Sequence, residues 1–318
     1  MNGLKKLNDL LFPGAKTYER VGAGKAVALG FQHAFAMSCA TILVPLLTGL
    51  DVGVALLAAG LGTLVFHLCT GGKSPVFLGS SFAFIAALCV VLDPAGAPNS
   101  FGMNRVEQIQ VAMWGVMGAG AIYLVFALLI KLIGMRFIDR LFPPVVRGVG
   151  IAIIGLNLAS SAIDNIQNNN GFALFTSGYY WSWVLALLTC LTAVLLSSYG
   201  KGMFKMASIA IALGTGYVVT LIVTATGIAP AGLMNLNAIS QHGWIELPNV
   251  VFPTFDFAGR GSQILRAIGV ISPVAIVTMV EHVGDVYANG AVVGRDFTKD
   301  PGLHRTMAGD GLATMVAG

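Results

Sequence analysis

Residues 264–290 read Ile264-Leu-Arg-Ala-Ile-Gly-Val-Ile-Ser-Pro-Val-Ala-Ile-Val-Thr-Met-Val-Glu281-His282-Val-Gly284-Asp285-Val-Tyr287-Ala-Asn289-Gly290. At about 1.5 Å per residue such a helix is long enough to cross roughly 30 Å of hydrocarbon. Two acids nevertheless lie well inside it. Glu281 and Asp285 are spaced i, i+4, which puts them one above the other on a single helix face. A bare carboxylate at the bilayer centre costs several kcal/mol, so residues of this kind normally face a cavity and mark a substrate or ion path. The competing reading is a hydrogen bond to a neighbouring helix, which accounts for one buried acid more easily than for two on one face.

Working outward, apolar blocks of similar length recur. They run from Ala26 to Thr48, Val52 to Thr70, Val76 to Leu92, Ile109 to Leu132, Val145 to Ser160, Trp181 to Ser198 and Ala207 to Thr226, before Ile264 to Gly290. A ninth begins near Thr306. The 318 residues hold 18 basic and 14 acidic side chains against 56% hydrophobic residues. That charged fraction is less than half the usual value of roughly 25%, which excludes a disordered chain and an ordinary soluble domain. The expected fold class is an all-α polytopic membrane protein whose chain covers eight to nine spans. Only 13 residues lie between Thr306 and Gly318, so the chain is expected to be a fragment that stops inside a membrane element, before a tenth span.

Charge placement sets the expected orientation. With a cytoplasmic N-terminus, fifteen of the eighteen basic residues lie inside, leaving Arg105, Arg260 and Arg266 outside. No secretory signal is read, because the first 25 residues lack an apolar core. The organisation expected is a cytoplasmic segment (1–25), spans one to five (26–160), spans six and seven with an outer loop (161–263), and the opening of a second repeat (264–318). Asn165 to Asn170 reads as a polar external loop, and Pro230 to Arg260 as an outer loop with short strand or interfacial pieces. Tyr179, Tyr180, Trp181 and Trp183 read as an interfacial aromatic belt. Cys39, Cys69, Cys89 and Cys190 show no metal-ligand spacing and read as packing residues, and neither His67 nor His304 has a partner cluster. No metal site is expected.

Two short matches suggest an internal duplication. Gln32-His33 is followed 249 residues later by Glu281-His282, and Gly60-Leu-Gly-Thr-Leu-Val65 resembles Gly311-Leu-Ala-Thr-Met-Val316 at an offset of 251. Seven spans precede the second copy, so the copies would run through the membrane in opposite directions, as in inverted-repeat transporters. The third span opens Ser74-Pro75-Val-Phe-Leu-Gly79-Ser80-Ser81-Phe82-Ala-Phe84. Extended backbone up to Gly79, then a helix capped by Ser80 or Ser81, fits this order better than one continuous helix. Broken backbone at membrane depth is tolerated where it is buried in protein or lines a cavity. The segment is therefore a candidate binding element, the alternative being a packing groove with two lipid-facing aromatics. Asp310, near the start of the ninth span, is a third acidic candidate that also suits a helix start at the interface.

Gln32-His33-Ala-Phe-Ala-Met37, Leu43-Val-Pro45, Leu78 to Phe84, Glu281-His-Val-Gly-Asp285, Asp300-Pro-Gly-Leu-His-Arg305 and Gly309-Asp-Gly-Leu-Ala-Thr314 together resemble the nucleobase/ascorbate transporter family, in particular its bacterial uracil permease branch. The resemblance implies fourteen helices in two inverted repeats of seven, split into core and gate domains, with short broken strand-helix segments. It implies uracil import across the cell membrane by proton symport, with no cofactor beyond the proton and no nucleic acid, and a homodimer formed through the gate domain. By that resemblance Glu281, Phe82, Ser81 and Gly284 bind the base, while Asp285, His33, Gln32 and Asp310 couple protons or order the site. Asp285 stands where some uracil carriers have histidine and many purine-type relatives have aspartate, which keeps xanthine or another purine as an alternative substrate. The family's tenth span carries further base contacts, so the 318 residues alone are expected neither to bind nor to transport. A carboxylate with backbone amides matches the adjacent N–H and C=O groups of a neutral pyrimidine. An anion carrier of similar architecture is the more distant alternative, against which two carboxylates speak. An enzyme is not expected, since no HExxH, GxSxG or comparable motif occurs.

Overall fold

A computed structural model describes residues 23–93, 102–134, 140, 143–167, 174–201, 203–206, 208–230, 232–234 and 248–318. These residues form α1 (Ala23–Thr48), α2 (Val52–Thr70), a 3-10 turn (Phe82–Phe84) leading into α3 (Ile85–Val91), and α4 (Arg105–Ile133). There follow α5 (Pro144–Gln167), α6 (Ser177–Tyr199), α7 (Ser208–Ala225), α8 (Phe257–Ile271), α9 (Val274–Val293) and α10 (Leu303–Ala317). The fold is all-α. Among the described residues five helical runs are long and apolar enough to span a membrane: α2, α4, α6, α7 and the nearly continuous α8–α9. On α2 the leucines at 57, 61, 64 and 68 form an exposed stripe at helical spacing, as a lipid-facing surface requires. The chain is a multi-pass membrane protein.

Helix ends follow local chemistry. Asp51 caps α2, its carboxylate accepting from the Val54 N–H at 2.9 Å, and Gly71 closes the helix with φ +62°. Asn104 and Glu107 form a reciprocal capping box, so α4 starts at Arg105, four residues before the apolar block that announced it. The Arg105 guanidinium donates to the Asp93 carbonyl at 2.6 Å, the Thr48 carbonyl at 3.0 Å and the Gly49 carbonyl. One cation thus closes the C-terminal ends of α1 and α3 and holds both at the start of α4.

The eighth apolar block does not form one straight helix. It begins at Phe257, where Asp256 caps the chain at Gly259 (2.9 Å), and it kinks at Ser272-Pro273 because Pro273 lacks the N–H that would continue the ladder. The outer loop is correspondingly shorter than expected; residues 231 and 235–247 of it lie outside the described residues. Helix α5 begins at Pro144 and runs to Gln167, past the expected end at Ser160, so the first part of the Asn-rich segment is helical. Residues 168–173 lie outside the described set, as do 1–22 and 135–139 with Lys5, Lys6, Lys16, Arg20 and Arg136.

Contacts divide the chain into two units. The larger gathers residues 40–154 and 248–318, and α10 packs between α2 and α4 within it. Glycine permits the close approach: a Cβ on Gly311 would lie 2.7 Å from Tyr123 Cβ, and one on Gly120 would lie 2.6 Å from the Gly311 carbonyl. Gly62 of α2 meets Ala313 of α10, where an added Cβ would lie 3.3 Å from the alanine methyl. These two positions are equivalent in the internal repeat at its offset of 251. Four residues on, Phe66 lies against Gly309, four residues back, so the helices cross antiparallel about equivalent residues, as an inverted duplication requires. The smaller unit, residues 21–39 and 155–247, contains the α6–α7 hairpin, in which Gly216 fits against Thr189. Tyr179 and Tyr180 stand edge to face at 5.7 Å at the start of α6.

Candidate functional site

The site is built where the third span breaks. Residues 75–81 take no regular structure, and Ser81, with extended dihedrals (φ −85°, ψ 128°), caps the following turn through Oγ, which accepts from the Ala83 N–H at 3.4 Å. The freed backbone groups find partners on α2. Leu78 N–H donates to Thr63 Oγ1 at 3.0 Å, and the His67 ring hydrogen-bonds the Val76 backbone. Thr63 and His67 are spaced i, i+4, so one face of α2 clamps the extended segment.

The turn carrying Phe82 packs against α9, which carries Glu281, Gly284 and Asp285. Phe82 and Glu281 are half-buried and Asp285 is more exposed. Glu281 and Asp285 each lie within electrostatic range of Asp310 on α10. Asp310 is not a helix-start residue: it sits at the middle of α10, its carboxylate 2.8 Å from His282 Nδ1. The other ring nitrogen of His282, Nε2, lies 3.1 Å from Thr306 Oγ1, and Tyr123 of α4 presents its ring edge to face at 6.3 Å. His282 is 9% exposed, Tyr123 3% and Thr306 fully buried. Asp310 thus pairs with one buried imidazole, Asp285 lies within electrostatic range of both, and Glu281 within range of the two acids.

Of the residues singled out in the sequence, Ser81, Phe82, Glu281, Gly284, Asp285 and Asp310 come from elements packed on one another in the larger unit. His33 is exposed on the part of α1 that groups with the smaller unit, and the Gln32 side chain lies outside the described residues. Sequence reasoning noted His282 only as a helix neighbour and passed over Tyr123, Thr306 and the Thr63–His67 clamp. Nothing in the sequence marked His282 beyond its place one residue from an intramembrane acid. No group of three or more potential metal ligands occurs among the described residues.

The arrangement offers acceptors and protonatable groups to a small ligand at a backbone break, which suits carriage. Known proteins resemble the chain throughout. A probable uracil permease of Haemophilus influenzae is 38% identical over 290 residues, 91% of this chain and 62% of the relative. The uracil permease of Bacillus caldolyticus is 38% identical over 301 residues, 94% of this chain and 63% of the relative. The putative pyrimidine permease RutG of Escherichia coli K12 is 34% identical over 301 residues, again 94% of this chain and 62% of the relative. The chain thus spans just under two thirds of the length of these relatives. A family model described as Permease family, Xan_ur_permease, matches residues 24–318. The chain therefore belongs to the xanthine/uracil permease family, the nucleobase/ascorbate transporters.

Proposed function

We propose that the protein carrying this chain imports uracil by proton symport across the cell membrane, with its N-terminus in the cytoplasm. The observation that carries the reading is the packing of the Phe82 turn against the helix of Glu281, which supports a site made from an aromatic ring, backbone N–H groups and a carboxylate. In this reading Glu281 accepts a ring N–H of the base, Phe82 lies against its face, and the backbone at Ser81 and Phe82 donates to a carbonyl. Gly284 leaves room on the same face of α9. Asp285 and Asp310 handle the proton, and His33 and Gln32 order the site. Relatives called uracil permeases match more than nine tenths of the chain, which supports the substrate. The basic residues inside, fifteen of eighteen by sequence, support the orientation. Glu107 pairs with Arg260 at 2.5 Å, so the starts of α4 and α8 meet, which fits the reading that puts both at the outer surface. A homodimer through the gate domain completes the reading.

The test is uptake of labelled uracil and of xanthine into proteoliposomes holding the complete polypeptide, with and without an inward proton gradient, for wild type and Glu281→Gln. Loss of a charged acceptor is worth about 1.5–3 kcal/mol, so uracil uptake by the variant should fall roughly 10- to 100-fold. Equal uptake by the variant removes Glu281 from the site. Gradient-driven uptake of xanthine alone moves the protein to the purine branch that Asp285 favours.

A further inference from the structure

We infer that His282, Thr306 and Asp310 form a proton-holding site in which the Thr306 hydroxyl turns according to whether the proton is present. The inference rests on the symport reading and gives its coupling proton an address. Thr306 Oγ1 has two partners, the His282 Nε2 at 3.1 Å and the Leu303 carbonyl at 3.0 Å, but only one hydrogen. Nδ1 of the same ring has a single partner, the Asp310 carboxylate at 2.8 Å. With Asp310 ionised, hydrogen accounting over these three contacts allows two states.

In the loaded state both ring nitrogens carry protons. Nδ1–H donates to Asp310, Nε2–H donates to Thr306 Oγ1, and the threonine hydroxyl donates to the Leu303 carbonyl. In the empty state one proton has left the ring at Nε2 for water. Nδ1–H still donates to Asp310, and the threonine hydroxyl now swings from Leu303 to the bare Nε2. One N–H bond has broken and one O–H bond has formed on the accepting water; within the protein no other covalent bond has changed, and a buried hydroxyl has a new partner. The titratable groups around the ring are Asp310 on α10, Tyr123 on α4 and Asp285 on α9 itself, with Glu281 one step out, in range of the two aspartates; the Phe82 turn contributes none. Because Leu303 opens α10 just beyond the non-helical Asp300, loading the ring also ties down the start of the helix that carries Asp310.

Replacing Thr306 by valine removes two hydrogen bonds from the loaded state and one from the empty state, so it disfavours loading. The expected result is that the proton concentration for half-maximal nucleobase uptake rises about tenfold in Thr306→Val, on the scale of one hydrogen bond to a charged group. Thr306→Ser keeps both partners and stays within about twofold, which separates the hydroxyl's role from packing. The direct readout is the ¹⁵N spectrum of histidine-labelled complete polypeptide in lipid, with the His282 signals assigned by their loss in His282→Gln. Nδ1 should be protonated throughout, and Nε2 protonated in acid and bare in alkali. A ring that switches in a protein whose uptake ignores the proton gradient refutes symport and leaves the proton site standing. A ring whose Nε2 never changes, in a protein whose uptake is gradient-driven, refutes the site and leaves symport standing.

Discussion

Placing a single methyl group on Gly311 should be enough to force α4 and α10 apart. A Cβ at that position would lie 2.7 Å from Tyr123 Cβ, 2.9 Å from the Gly120 carbonyl oxygen and 3.3 Å from the Leu124 nitrogen. Ordinary carbon–carbon contact is roughly 3.5–4.0 Å, so the overlap with Tyr123 is about 1 Å. None of the three can rotate out of the way, since one is a first side-chain atom and the other two are backbone. The helices must separate, at a cost of about 1–3 kcal/mol. Gly60 occupies the repeat-equivalent position, yet a Cβ there meets nothing within 4 Å. Gly60→Ala should therefore be neutral or stabilising by about 0.5–1 kcal/mol, the helical preference for alanine. The assay is thermal unfolding of the complete polypeptide in detergent. Gly311→Ala should melt several degrees below wild type and Gly60→Ala at or above it. Gly120→Ala presses on the same pair of helices, so the double variant should lose less than the sum of the single losses. Equal melting of Gly311→Ala and Gly60→Ala, or strict additivity with Gly120→Ala, would refute the reasoning.

Two further substitutions probe the ends of the larger unit. Arg105→Ala strands the carbonyls of Thr48, Gly49 and Asp93 and should destabilise by about 2–4 kcal/mol, with Arg105→Lys recovering only part because one ammonium cannot reproduce the guanidinium fork; melting temperatures check this. Lys73→Ala removes the ion pair with Asp300, whose carboxyl is 71% exposed. It should cost less than about 1 kcal/mol and nothing measurable in high salt.

Where a signal was local, the sequence carried it. Asp51 and Gly71 bound α2 at the residues the apolar block announced, and Pro75, Gly79 and Ser81 mark the broken third span one residue at a time. The capping box of Asn104 and Glu107 was equally local but lay in polar residues that hydropathy passes over. Pro273 was visible too, yet the residues on either side are so apolar that span length outweighed the kink. What was illegible depended on partners distant in the chain. Asp310 reads equally as a site acid and as an interfacial cap until α10 is laid along α4 and α9, and its partner histidine is 28 residues away. Thr63 and His67 look like ordinary helix residues until the extended segment they clamp is in place. The carboxylates of α9 were legible because burying charge is costly anywhere, whereas the histidine between α9 and α10 takes its meaning from geometry alone.

The crossing of α2 and α10 at Gly62 and Ala313 has an evolutionary corollary. The repeat makes each residue the other's counterpart, and a methyl added to Gly62 would stand 3.3 Å from that of Ala313, a few tenths of an ångström inside ordinary contact. A duplicated segment is usually free to let one copy drift while the other keeps its role. At this point the copies lean on each other, so enlargement of one must be answered by economy in the other. The change the crossing should tolerate best is the reciprocal one, Gly62→Ala made together with Ala313→Gly, which moves the methyl group from one counterpart to the other.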